Sequence, residues 1–265
     1  MGAVMGRVLA DRLMAHPTVA VLERRLILYR RLWQASALSS FVLPLLFVMS
    51  IGIGVGGYVG EIEGTDYLSW IVPGVLASTA FQMAVGECTY TILGDFTWVR
   101  AFPAMYSTPV RVRDMVGGWL LYILFRVQTA VASFLVVTSL FGAAHSPWAP
   151  ATLPVCALLT VAVAAPTTAF AASVDHDSYF AVLFRFVMIP SALFAGVFFP
   201  VGRLPELVRL MAYASPLWHA VALCRAATLG TAPPWPFWLH AGYLLLWAVL
   251  GCAWALHAFH RRLRD

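Results

Sequence analysis

The sequence predicts an all-α polytopic membrane protein: six transmembrane helices, an N-terminal amphipathic interfacial helix, and a re-entrant helical pair between helices 5 and 6. Three observations predict it. Of 265 residues, 61% are hydrophobic and only 11% charged, whereas globular domains carry about 25% charged residues. The chain divides into apolar stretches of the length that crosses a hydrocarbon core of about 30 Å. Finally, the arginines cluster between alternate stretches, as the positive-inside rule requires. A sizeable water-soluble domain is excluded.

The elements follow in order. Residues 1–35 form a cytoplasmic N-terminal segment. Within it, 18–34 is amphipathic, with Val21, Leu22, Leu28 and Leu32 set against Glu23, Arg24, Arg25, Arg30 and Arg31. Such a basic helix, with Trp33 near its end, is expected along the membrane face. No secretory leader is expected ahead of it. The transmembrane domain covers 36–260. Its first span is 37–58, with Gly52, Gly54, Gly56 and Gly57 near the outer end, followed by an acidic loop of Glu61, Glu63 and Asp66. The second span is 68–93. A polar connection, 95–114, holds Arg100, Arg111, Arg113 and the turn-prone Ser107-Thr108-Pro109. The third span is 115–140, a short turn with His145 follows, and the fourth span is 152–174. Asp177 or Ser178 is placed to cap the fifth helix, 179–199.

Gly196 and Pro200 end that fifth helix, because proline lacks the amide donor and clashes with the preceding turn. Two apolar pieces follow, 204–214 and 217–229, divided by Ser215-Pro216. Each reaches under roughly 20 Å, too short to cross. In a membrane such pieces are stable when buried in protein or lying at the interface, so a re-entrant pair is expected. The sixth span is 237–258, and Arg261, Arg262 and Arg264 close a short tail, 261–265. Twelve of the seventeen arginines fall in the N-terminal segment, the second connection and the tail. Both termini are therefore expected in the cytoplasm, with an even number of spans between them.

Composition also limits the chemistry. There is no lysine, which removes the P-loop, Schiff-base and Ser-x-x-Lys mechanisms. No catalytic residues and no metal site are expected. Cys88, Cys156, Cys224 and Cys252 are widely spaced within apolar segments and read as small hydrophobes. Arg126 lies within the third span, where an arginine costs about 2.5–3.5 kcal/mol on insertion scales. It is either a wall of a pathway, with Thr129 and Ser133 on the same face, or the partner of Glu87. Thr79, Gln82, Gly86 and Tyr90 share one face of the second span with Glu87 at its edge, forming a helix seam or a pathway lining. Phe194, Phe198 and Phe199, with Met188, either grip an apolar substrate or face lipid.

Several runs carry a resemblance. They are GIGVGGYVGEIEGTDY from Gly52 to Tyr67, continuing as YLSWIVPG to Gly74, and Ser107-Thr108-Pro109-Val110. Further along come GVFFP from Gly196 to Pro200 with Leu204-Pro205, and SPLWH from Ser215 to His219 with Arg225. In this order, over roughly 22–263, the chain resembles ABC-2 type exporter permeases. The branch it is most similar to is that of nodulation-factor exporters (NodJ-like), which also includes drug-resistance permeases. The resemblance implies a permease that pairs with a second copy, or a homologous permease, and with two separately encoded ATPase subunits. Those subunits would bind ATP and Mg; this chain would hold no cofactor and contact no nucleic acid. It implies docking of the ATPase on Arg24, Arg25, Arg100, Pro109, Arg111 and Arg113. It implies a pathway lined from the second and fifth helices, with Thr79, Gln82, Gly86, Glu87, Tyr90, Arg126, Phe194, Phe198 and Phe199. The re-entrant pair would be an outer gate, with Leu204, Pro205, Pro216, His219 and Arg225. The expected function is export of an amphipathic or hydrophobic substrate: a lipid-linked saccharide, a glycolipid or a drug-like natural product. The alternative is an ATPase-independent membrane enzyme or channel, and an ATP-binding protein encoded beside this chain discriminates between them.

Overall fold

In hydrocarbon no water satisfies the backbone, so apolar runs of this length close their hydrogen bonds internally as helices. The structure, a computed structural model, describes residues 16–50, 61–62, 64–142 and 146–264. The expectations for Arg7, Arg12, Gly52, Gly54, Gly56, Gly57, Glu63 and His145 lie outside the described residues, as does the end of the first span. The helices are α1 (Pro17–Met49), α2 (Tyr67–Glu87), α3 (Tyr90–Thr97), α4 (Ala101–Tyr106), α5 (Val112–Leu140) and α6 (Thr152–Ser173). They continue as α7 (Ser178–Leu183), α8 (Ile189–Phe194), α9 (Glu206–Ala214), α10 (Pro216–Leu229) and α11 (Phe237–Arg262). A two-residue antiparallel ribbon, Glu61–Ile62 with Thr65–Asp66, precedes α2.

Among the described residues four stretches are long and apolar enough to cross a membrane: Tyr67–Thr97, Val112–Leu140, Ala149–Ser173 and Phe237–Arg262. The bent pair α9–α10, broken by 81°, makes a fifth if counted as one span. One end of the bundle gathers the starts of α1 and α5 and the ends of α3, α6 and α11. There Thr18 donates to Asp114 (2.9 Å), and Phe96, Phe102 and Phe259 form a triangle with centroids 4.9 Å apart. Arg262 donates to the carbonyls of Ala171, Ala172 and Val174, which the end of α6 leaves without helical partners. The other end gathers the start of α2, the end of α8 and the bent pair.

Several local outcomes differ from the sequence reading: the second span, expected as one helix over 68–93, breaks at Cys88-Thr89 into α2 and α3, and the fifth helix, expected over 179–199, ends at Phe194. The residues expected as a separate interfacial helix run without a break into those of the first span, as the single helix α1. No glycine or proline stands at the proposed junction to interrupt it. The stretch 95–114 is not one polar connection: Asp95 belongs to α3 and is 4% exposed, and 101–106 forms α4. Asp177 occupies the cap position of α7 but makes no side-chain cap bond. Side chains do cap α2 and α10. Asp66 accepts from the amides of Leu68 and Ser69, and Ser215 accepts from Leu217 with Pro216 at the first helical position.

The most extensive helix contact is α6 against α11. It depends on Gly251, where an added Cβ would lie 2.5 Å from Pro166 Cδ and 2.9 Å from Pro166 N. Gly251→Ala is therefore expected to cost about 1–3 kcal/mol by overpacking, read as a lowered Tm of the purified protein. Gly242→Ala on the same helix meets nothing within 4 Å and serves as the unaffected control. Folding also brings Cys156 and Cys224 together, with their Sγ atoms 3.9 Å apart. Their separation in sequence conceals this.

Candidate functional site

An arginine in the middle of a membrane helix needs protein or water to face. α5 supplies Arg126 and α2 supplies Glu87, and they meet as an ion pair at 2.8 Å, with side chains 24% and 22% exposed. Tyr122, one turn earlier, lies 3.4 Å from Arg126 Nη1, and the Tyr29 ring from α1 stands 5.8 Å from the guanidinium. The two readings of Arg126 thus resolve to a pair that still borders open space. Thr129 and Ser133 do not extend the charge outward. Their hydroxyls donate to the carbonyls of Arg126 and Thr129 on their own helix. Glu87→Arg or Arg126→Glu alone is expected to cost about 1–3 kcal/mol, since a half-buried charge loses its partner. The double exchange restores most of it, measured as the yield of monodisperse extracted protein.

The rest of α2 clarifies what the pair borders. Its apolar residues Trp70, Ile71, Leu76, Ala77, Ala80, Phe81, Ala84 and Val85 are buried. Its open edge consists of Gln82 and Gly86, with Thr79 and Glu87 half-buried beside them, and Tyr90 at the start of α3 continues it. Thr79 donates to the Val75 carbonyl and Gln82 to Ser78 Oγ. The most buried crossing helix therefore exposes its small and polar edge, the reverse of what lipid favours. Tyr90 packs edge-on against Phe180 and lies near Phe184 of the fifth span. Phe194, Phe198 and Phe199 sit at the opposite end of that span, with Phe194 6.5 Å from Phe199. The predicted lining residues thus form two groups at the two ends of α7–α8. Between those helices Phe184–Met188 is a π-helical turn. Pro190, two residues beyond it, cannot donate to Phe186, and that missing donor was the available sequence signal.

At the arginine-rich end the structure separates the predicted docking residues. Arg25 is buried, ion-paired with Asp95, and lies 4.4 Å above the Trp119 ring. Arg24 is 4.0 Å from the same carboxylate. Arg25 is thus no exposed docking cation, because a buried carboxylate on α3 requires its charge. Arg100, Pro109, Arg111 and Arg113 remain exposed around α4. Arg100 is the one non-glycine residue with positive φ (52°) among those described, where the chain turns from α3 into α4. Beside α4 a cavity of about 450 Å³ is lined by Tyr106, Thr108, Pro109, Arg111, Arg113 and His260.

At the other end, Leu204 and Pro205 lead into α9, and Pro216 starts α10. Arg225 donates from Nη2 to the Gly196 carbonyl (2.9 Å) and from Nε to the Trp70 carbonyl (3.3 Å). Its guanidinium lies 3.8 Å from the Trp70 ring. Gly196 has φ +79°, a turn that glycine adopts without strain. One side chain thus ties the bent pair to α2 and to the turn after α8. His219 is 2% exposed and stacks on Tyr243 at 4.1 Å. His240 and Tyr243, its partners from α11, had no signal in the linear sequence.

The model of the family described as ABC-2 type transporter matches residues 17–229, from α1 through α10. The chain belongs to this family. This ABC-2 type permease is also 30% identical over 250 residues to nodulation protein J of Rhizobium leguminosarum bv. trifolii, covering 92% of this chain and 93% of that one. With nodulation protein J of Neorhizobium galegae it shares 27% over 247 residues, covering 92% and 93%. With the inner membrane transport permease YadH of Escherichia coli K12 it shares 22% over 210 residues, covering 76% and 78%. It is an ABC transporter permease, a transport subunit with several membrane-crossing helices, in a family that works with an ABC ATPase.

Proposed function

We propose that this permease is the membrane half of an ABC exporter, moving an amphipathic or hydrophobic molecule outward on ATP hydrolysed by a separate subunit. Its substrate class is a lipid-linked saccharide, a glycolipid or a drug-like natural product. The observation that carries this reading is the open edge of the stretch α2–α3: Gln82 and Gly86 of α2 and Tyr90 of α3, with Glu87 paired to Arg126 of α5, polar groups on an otherwise largely buried membrane segment. A second copy facing that edge would enclose a passage with polar and aromatic walls. The exposed large apolar residues of the fifth span, Tyr179, Val182, Phe186, Val187 and Leu193, supply apolar surface for the same pairing or for a cargo tail.

The end bearing Arg100, Arg111, Arg113, Arg261 and Arg264 lies in the cytoplasm in this reading, with both chain termini and six crossings. α4 is the docking element, and an ATPase closing on ATP shifts it relative to α2 and α5. The bent pair is re-entrant and closes the outer end. ATP couples to transport because the two states of the paired permease make different contacts with the cargo.

The test is whether an ATP-binding protein is encoded beside this chain, followed by co-expression of the two. A complex with two copies of each subunit, and ATP-dependent uptake into inside-out vesicles of an amphiphile identified by mass spectrometry, is the expected result. A permease that purifies without an ATPase and moves solute without ATP would replace this reading with that of a channel or stand-alone membrane enzyme.

A further inference from the structure

The break between α9 and α10 leaves the last carbonyls of α9 without helical donors. Two side chains serve them: Tyr243 donates to the Ala214 carbonyl at 2.6 Å, and His219 Nε2 lies 3.1 Å from the Tyr213 carbonyl. A carbonyl only accepts, so Nε2 of His219 carries the hydrogen. Neutral His219 then presents a lone pair at Nδ1, which is 3.0 Å from Nδ1 of His240. That second nitrogen must donate, which makes His240 the Nδ1–H tautomer with a bare lone pair at Nε2. His240 is 0% exposed, and among the described residues its buried Nε2 has no hydrogen-bond partner.

The two rings sit in an aromatic cage. Trp218 and Trp235 lie 5.1 and 5.9 Å from His240, and Tyr243 stacks on His219. The other titratable groups that face the pair are Tyr213 from α9 and Tyr243 from α11. Among the described residues no side chain of α2, α5 or α6 bonds to either ring, and no carboxylate lies within 4.0 Å of one. The pair is the side-chain link between α10 and α11, beside the Tyr243 bond that joins α11 to the end of α9.

We propose that His219–His240 is a proton-binding latch, closed while both rings are neutral and released when Nε2 of His240 takes a proton from the outer solution. In the closed cage that new N–H finds aromatic faces and no acceptor. A further proton at either Nδ1 would set two N–H groups against each other and abolish the bond between the rings. The released imidazole is hydrated and free to take a proton, so acid favours release and neutral pH favours the closed latch. That the latch controls a gate rests on the function proposed above. The experiment that follows reads release alone and is indifferent to transport.

Cys224 is fully buried on α10 and reports release. The full chain, with Cys88, Cys156 and Cys252 changed to alanine, is placed in nanodiscs and treated with a charged methanethiosulfonate at pH 7.5 and 5.5. Rates are normalised to a cysteine introduced at Leu207, which is 73% exposed, in a chain with Cys224 also changed to alanine. If only the released form takes the proton at an ordinary pKa of about 6.5, normalised labelling of Cys224 rises about tenfold at the lower pH. His240→Asn keeps an N–H toward His219 and takes no proton, so labelling stays slow at both pH values. Equal normalised rates with the native histidines, or an unchanged pH response in His240→Asn, overturns the proposal. Should that variant not fold, the comparison of the two pH values with the native pair decides alone.

Discussion

Asp95→Leu is expected to destabilise the permease by about 3–5 kcal/mol, the cost of leaving a buried charge without its partner. Asp95 is 4% exposed, pairs with Arg25, and lies 4.0 Å from Arg24. Removing it strands two guanidinium groups where α1, α3 and α5 meet. Arg25→Met costs less, because Arg24 is close enough to take over part of the neutralisation. Combining Arg25→Met with Asp95→Leu replaces the pair by apolar volume against Trp119 and is expected to recover most of the loss. Thermal unfolding of the purified variants checks this, and strictly additive costs would show that the two residues do not act as a pair.

The second large effect is expected in coupling. Changing Arg111 and Arg113 together to glutamate reverses two exposed charges beside α4. Such reversal sets like charges against an ATPase surface complementary to the native one, and truncating or opposing interfacial charges costs roughly 2–5 kcal/mol. ATP-driven transport should fall at least about tenfold, while the Tm stays near that of the parent because neither side chain supports the core. The deficit should grow at low salt and shrink at high salt, since exposed charges are screened over about 8 Å at physiological ionic strength. Unchanged turnover with both glutamates in place would remove α4 and its flanks from the docking surface.

The contrast between these two arginine pairs marks how far the sequence was informative. Arg25 and Arg111 look alike in the linear chain, each basic and near the expected cytoplasmic face. Only the fold shows that Arg25 turns inward to a carboxylate seventy residues away while Arg111 stays outside. Glu87 and Arg126 were legible as a possible pair because an intramembrane charge restricts its own options. His240 was not, since a histidine near the start of an apolar helix has many ordinary roles.

The sequence by itself determined the class of this protein, the four long apolar stretches from Tyr67 to Arg262, the end of a helix just before Gly196 and the break at Ser215-Pro216. Each follows from local physics: hydrocarbon thickness, the need for backbone hydrogen bonds, and the limits of glycine and proline. Tertiary structure alone decided that α1 is continuous, that Asp95 is buried, that Cys156 meets Cys224 and that two histidines share one hydrogen bond. Those outcomes depend on which helix faces which, and that is set by close packing at sites such as Gly251 against Pro166, between residues that the chain holds far apart.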